Sequence, residues 1–193
     1  MGLSSTTKPP GAGRSSFDLI EVDKFLAALP LAPQMTVLDL GCGQGNYTLA
    51  LAEAVGPSGV IYAVDLWAEG IAKLREKAAL RGFDQIRPIL ADISQPLPLE
   101  AGSVNLCLLA TVLHELVQAG TAARTLGQVV RLLKPGGLLA ILEFKKMEGP
   151  PGPPRHLRLA PEEVGSFVQP HSFQRLALTE VGPYTYLMVF RKR

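Results

Sequence analysis

Residues 37–46, V-L-D-L-G-C-G-Q-G-N, restrict what this chain can become more than any other stretch, because an apolar run passes directly into closely spaced glycines. Val37, Leu38 and Leu40 read as a short parallel strand covered on both faces, interrupted only by Asp39. Gly41, Gly43 and Gly45 then remove three β-carbons within five residues, which permits positive φ and lets backbone approach a ligand closely. A helix is expected from about residue 46, with its free amides facing whatever the loop holds. The dinucleotide fingerprint G-x-G-x-x-G would need a glycine where Asn46 stands, so a nicotinamide oxidoreductase is a weakened alternative.

The remaining chain alternates strands and helices. Strands are expected at 60–65, 86–91, 104–110 and 138–144, and helices at 47–55, 67–81 and 121–133, the 67–81 segment stopping at Gly82. Such alternation specifies a doubly wound sheet with right-handed crossovers, whose ligands bind at the carboxyl ends of the strands. Three successive strands there end in acids: Asp39, Asp65 and Asp92. An acid ending the second strand is placed either to cap the next helix or to accept both hydroxyls of a ribose. Lys134-Pro135-Gly136-Gly137 reads as a turn. Residues 173–179 and 184–191 read as two closing strands joined through Gly182-Pro183.

Ahead of the sheet, residues 1–14 read as a flexible tail, followed by one domain over 15–193. Ser15-Ser16-Phe17-Asp18 has the form of a helix start, and Phe17, Ile20, Phe25, Leu26 and Leu29 extend the helical spacing to Pro30. Residues 147–154, with four prolines and two glycines, form a lid or connector that extends to about residue 160, and a short helix opens at Pro161-Glu162-Glu163. Net charge of only +2 gives no nucleic-acid footprint, and the most apolar stretch, 104–117, is too short to span a bilayer. Cys42 and Cys107, far apart in a chain that lacks a secretory leader pattern, are read as free thiols in a reducing cytoplasm.

The segments 37–45 (V-L-D-L-G-C-G-Q-G), 63–65 (A-V-D), 91–93 (A-D-I) and 132–144 (L-L-K-P-G-G-L-L-A-I-L-E-F) together resemble the class I S-adenosylmethionine-dependent methyltransferases. The resemblance runs from about residue 36 to the C-terminus. It implies a seven-stranded, mostly parallel sheet with a C-terminal antiparallel hairpin, S-adenosylmethionine as cofactor, no metal, and a monomer or homodimer acting on a small molecule. By the same resemblance Gly41, Cys42, Gly43 and Gly45 would approach the amino-acid part of the cofactor, with Asp39 fixing the loop or the ammonium. Asp65 would hold the ribose, Leu66 would pack on the base, Asp92 and Ile93 would face the adenine, and Ala110 would close the cofactor set. In the resembled fold a segment such as 15–30 often lies over the cofactor cleft; packing on the sheet edge is the other reading.

Methyl transfer draws on alignment of the reactants, and an acceptor that must lose a proton also needs a base within hydrogen-bond reach. His114, at the mouth of the fourth strand, is the first candidate base; capping the following helix or lining the cleft is its other reading. Glu143, a carboxylate in an apolar strand, must be paired or reach the cleft. Glu143-Phe144 also resembles the E-F of the C-methyltransferases of ubiquinone and menaquinone synthesis, although the usual G-F before the sixth strand appears as Ser172-Phe173. Two cysteines are too few for an arsenite-methylating relative. Arg155, His156, Arg158, Tyr184 and Tyr186 would shape the acceptor pocket or serve as ordinary core and surface residues. A non-catalytic scaffold of the same fold is the competing reading.

Overall fold

A computed structural model describes residues 11–193; the tail expected over 1–14 therefore lies largely outside the described residues. Seven strands form a single sheet in the order β3-β2-β1-β4-β5-β7-β6. Their ranges are β1 Thr36–Leu40, β2 Val60–Asp65, β3 Ile86–Leu90, β4 Val104–Ala110, β5 Leu133–Phe144, β6 Phe173–Glu180 and β7 Thr185–Lys192. The first five pair in parallel, while β7 runs antiparallel to β5 and β6, which completes the expected hairpin.

Helices α1 (Val22–Ala28), α2 (Asn46–Val55), α3 (Ala68–Leu80), α4 (Leu113–Gln118), α5 (Ala122–Leu132) and α6 (Pro161–Val168) cover the sheet. Each face carries its own core. One gathers Phe25, Leu51, Leu74, Leu106 and Leu187, and the other gathers Leu38, Leu109, Leu126, Leu139 and Met188. Consecutive residues of β4 and β5 thus supply opposite layers, as strands buried on both faces must. Burying one such leucine is worth about 2 kcal/mol, so the central strands anchor the fold. Among the described residues no helix is long and apolar enough to cross a membrane.

Three local expectations change. The segment after Ser16 is not one helix but a 3-10 turn, Phe17–Leu19, followed by α1, with Ile20 extended between them. The Glu21 N–H reaches Val181 O at 2.7 Å, a tertiary bond that draws the backbone out of the helical path. Residues 134–137 are absorbed into β5 as a bulged excursion, since Val104 pairs with Leu133 and Leu106 with Leu138. Finally, α4 follows directly from β4, where no helix was anticipated.

Candidate active site

From β1 the chain connects toward β2 and β3 on one side, whereas β4 and β5 lie on the other. The reversal between β1 and β4 opens the crevice in which doubly wound sheets hold ligands. A cavity at this point is lined by Gly41, Cys42, Gly43, Tyr47, Ala110 and Thr111, with residues 13–16 across it. The structure thus gathers Gly41, Cys42, Gly43 and Ala110 as expected.

The glycines of the loop differ in what they permit. A methyl group at Gly41 would stand 2.5 Å from Val112 Cγ2, and one at Gly45 would run into Leu74, so both sites serve close packing. At Gly43, with φ of 56°, a β-carbon would meet no atom within 4 Å, so this cavity-lining residue has open space beside it. Sequence reasoning missed Gly70, where a methyl would stand 2.8 Å from Gly43 O and collide with Trp67. That glycine lets α3 press against the loop, and a lone glycine inside an amphipathic helix was its only signal.

Asp65 is half-buried and fully engaged by backbone: Gly43 N–H donates to its Oδ2 and Trp67 N–H to its Oδ1, each at 2.7 Å. It therefore closes a turn just ahead of α3 and ties the glycine loop to β2. A carboxylate offers about four acceptor positions, so lone pairs remain for further donors. Leu66, at the rim, is 47% exposed. Asp92 accepts the Ser94 N–H at 2.8 Å, and Ile93 is half-buried beside it.

Asp39 is buried, and its Oδ2 accepts the Thr48 hydroxyl at 2.6 Å while its Oδ1 has no partner. Burial raises its pKa to about 7; the Thr48 bond opposes this and the charge of Asp65 adds to it. A buried oxygen without a donor beneath a bare glycine loop suits a ligand that brings a cation. An adenosyl amino-acid cofactor would suit these residues, with its ammonium toward Asp39, its amino-acid end over the Gly43 backbone and its ribose hydroxyls toward Asp65.

Beyond the end of β4, three residues after the crevice-lining Thr111, His114 forms a buried pair with Glu143 of β5. Glu143 Oε2 lies 2.8 Å from His114 Nδ1, and Oε1 accepts the His114 backbone N–H at 3.0 Å. Register sets this up, because Ala110 pairs with Leu142 across β4 and β5 and places the start of α4 over the end of β5. Glu143 thereby satisfies an orphan amide of α4 and fixes the imidazole, leaving Nε2 as the acceptor of the neutral ring. Burial pulls the His114 pKa down, but the hydrogen bond and charge of Glu143, with Glu115, overcome this and hold it above the usual 6.5.

Residues 15–30 are divided between the core and the crevice, with Phe25 of α1 on the core side and Ser15 and Ser16 on the crevice side. Phe25 is buried in the core, while Ser16 Oγ lies 2.8 Å from Tyr47 OH and 3.1 Å from Thr111 Oγ1, and Ser15 Oγ accepts from Asn46 Nδ2 at 3.2 Å. Residues 13–16 form a strap over the crevice, latched partly on Thr111, a β-branched residue with φ of 56°. Left-handed backbone at such a residue is strained, as often happens at functional sites. Neither Ser16 nor Thr111 carries a local sequence signal. Of the further pocket candidates, Tyr186 is buried and donates its hydroxyl to Leu159 O at 2.5 Å, whereas Arg155 and His156 are exposed.

A family described as "Methyltransferase domain" matches residues 31–180. The chain belongs to this family, within the class I S-adenosylmethionine-dependent methyltransferases. A SAM-dependent methyltransferase from Aquifex aeolicus has the same fold at a TM-score of 0.83 and 28% identity, over 96% of this chain and 95% of that one. An arsenite methyltransferase of Halobacterium salinarum is 36% identical over 58% of this chain and 27% of its own length. A demethylmenaquinone methyltransferase of Geobacillus stearothermophilus is 35% identical over 55% of the chain and 44% of its own length. The chain thus spans less than half of these two curated relatives.

Proposed function

We propose that this protein transfers the methyl group of S-adenosylmethionine to a small-molecule acceptor whose attacking atom sheds a proton as it reacts. The observation that carries this reading is the buried His114–Glu143 pair at the carboxyl ends of β4 and β5, with His114 following closely on the crevice-lining Ala110 and Thr111. When bound, the cofactor supplies an electrophilic methyl on a sulfonium. Asp39 and the Gly43 backbone would hold its amino-acid end, Asp65 its ribose, Asp92, Ile93 and Leu66 its base, and Cys42, Gly45 and Ala110 the floor. Tyr47 and the 13–16 strap exclude water from the crevice. His114 Nε2 accepts the acceptor's proton, and Glu143 stabilises the resulting imidazolium. General-base assistance of this kind is worth on the order of 10²–10⁴ in rate.

An aromatic quinol is the acceptor class we favour. The Glu143-Phe144 pair and the demethylmenaquinone methyltransferase relative support it. Arsenite fits poorly: the sequence has two cysteines, both are buried thiols, and burial raises both pKa values well above the usual range. Free thiols accord with the reducing cytoplasm we propose as its setting, and a net charge of +2 favours a small acceptor over nucleic acid.

The test is incubation with methyl-labelled S-adenosylmethionine and naphthohydroquinone, with arsenite as the alternative acceptor. Label in the quinol product, dependent on His114, is the expected result. Calorimetric binding of the cofactor without transfer to any acceptor would instead favour a non-catalytic member of the fold.

A further inference from the structure

Residues 145–157 leave the sheet at the end of β5 and fold around one side chain. Arg158 is 1% exposed, and its guanidinium donates to four backbone carbonyls. Nε reaches Pro153 O at 2.7 Å, Nη1 reaches Lys145 O at 3.2 Å, and Nη2 reaches Gly149 O at 2.5 Å and Pro151 O at 2.8 Å. The segment carries four prolines, which have no N–H to give, so its carbonyls cannot be satisfied by a regular ladder. One rigid, multiply donating cation satisfies them instead, a task lysine's compact ammonium cannot copy.

Two contacts connect this loop to the His114–Glu143 pair. A methyl group at Gly152 would stand 2.7 Å from the Phe144 ring, so the loop packs on the residue whose N–H donates to Glu143 Oε2 at 3.4 Å. The Arg158 guanidinium lies 5.7 Å from the centre of the same ring. In addition, the 3-10 turn Arg155–Leu157 packs on α4, which carries His114. The loop surface is a concavity of Glu148, Pro150, Pro153, Pro154, Arg155 and His156, in which Arg155 Nε lies 3.4 Å from Glu148 Oε1. Pyrrolidine rings beside an ion pair and the His156 imidazole suit a flat apolar ring that bears oxygen.

We infer that residues 145–157 form the acceptor-side wall of the cleft, and that Arg158 is the positioning residue that holds this wall against the His114–Glu143 pair. The inference rests on the methyl-transfer reading, so its test separates the two. In cofactor-saturated protein, Arg158→Lys raises amide hydrogen exchange in 145–157 and in α4, while the loop at 41–46 keeps its protection. Cofactor affinity measured by calorimetry stays within about twofold, and KM for naphthohydroquinone rises about tenfold with a smaller change in kcat, as loss of ground-state positioning requires. Should Arg158→Lys fold poorly, Gly152→Ala, which pushes the loop off Phe144, provides the second variant with the same expected split. Unchanged exchange in α4, or a fall in cofactor affinity as large as the rise in KM, overturns the inference. If the wild type binds cofactor but does not methylate the quinol, the acceptor assignment fails. The wall is then judged by exchange alone: increases in both 145–157 and α4 support it, and no coupling between them refutes it.

Discussion

The imidazole of His114 and the carboxylate of Glu143 meet at 2.8 Å although 29 residues separate them, and the same carboxylate holds the His114 backbone N–H. Glu143 is fully buried, so its charge acts on the ring with little screening by water. Because Glu143 keeps the His114 pKa above 6.5, a reaction that needs the neutral ring accelerates as pH rises through a midpoint above that value. In Glu143→Gln the charge is gone and burial dominates, so the midpoint of kcat/KM moves to lower pH. The same linkage acts on folding. The raised folded-state pKa makes the pair's contribution to stability complete below about pH 6.5 and lost as pH climbs through the folded value. Rate profiles and thermal melts of both proteins across pH 5–9 check both signs; a midpoint that stays in place would remove Glu143 from control of the ring.

Asp39 predicts a proton exchange on cofactor binding. With burial raising its pKa to about 7, the carboxyl is largely protonated below neutrality, and an incoming ammonium favours the ionised form. Cofactor affinity therefore increases as pH rises toward about 7 and then levels off. Calorimetry in buffers of different ionisation enthalpy should detect a proton released on binding near pH 6, and Asp39→Asn should abolish it. For the ligand-free protein the sign is opposite: a raised carboxyl pKa means that the folded state binds more protons, so Asp39 makes stability fall between pH 3.8 and about 7.

The parts of this site legible in the sequence are those that one strand end or one loop specifies. Gly41, Gly43 and Gly45 announce a bare loop, and Asp65 marks the end of β2, because an apolar run ending in an acid needs no knowledge of its neighbours. The His114–Glu143 contact depends on β4 lying beside β5 in one register, which neither strand states alone. The break between the 3-10 turn and α1 depends on a carbonyl at Val181, about 160 residues away. The role of Arg158 was equally hidden, since a lone arginine near a proline-rich stretch looks the same whether it points to water or inward. What the pattern missed in each case is a hydrogen-bond partner that lies outside the element carrying the residue.

The strap across the crevice should control how fast the cofactor leaves. Ser16 joins Tyr47 and Thr111, and Phe17 meets the Tyr47 ring edge-on at 5.0 Å between centroids. Ser16→Ala removes both hydroxyl contacts without adding bulk. At about 0.5–1.5 kcal/mol per hydrogen bond, the two together are worth about 1–3 kcal/mol, and cofactor dissociation should accelerate by about 5-fold up to a ceiling of about 150-fold. Stopped-flow displacement of bound cofactor reads this directly, and an unchanged dissociation rate would make the strap a bystander.

Two glycines of one loop should respond differently to the same substitution. Gly45 has φ of 84° and faces Leu74, so Gly45→Ala adds backbone strain to overpacking and should lose about 2–4 kcal/mol of stability. Gly43 has φ of 56° but open space around an added β-carbon, so Gly43→Ala should lose only the backbone part, about 1–2 kcal/mol. Function should invert the order. The Gly43 methyl would project into the crevice where the cofactor must approach the backbone, so Gly43→Ala should weaken cofactor binding more than Gly45→Ala does in protein that remains folded. Denaturant unfolding supplies the stabilities, and calorimetry at a temperature well below both transitions supplies the affinities. If Gly43→Ala binds the cofactor as tightly as the wild type, the bare backbone at residue 43 is not where the ligand lies.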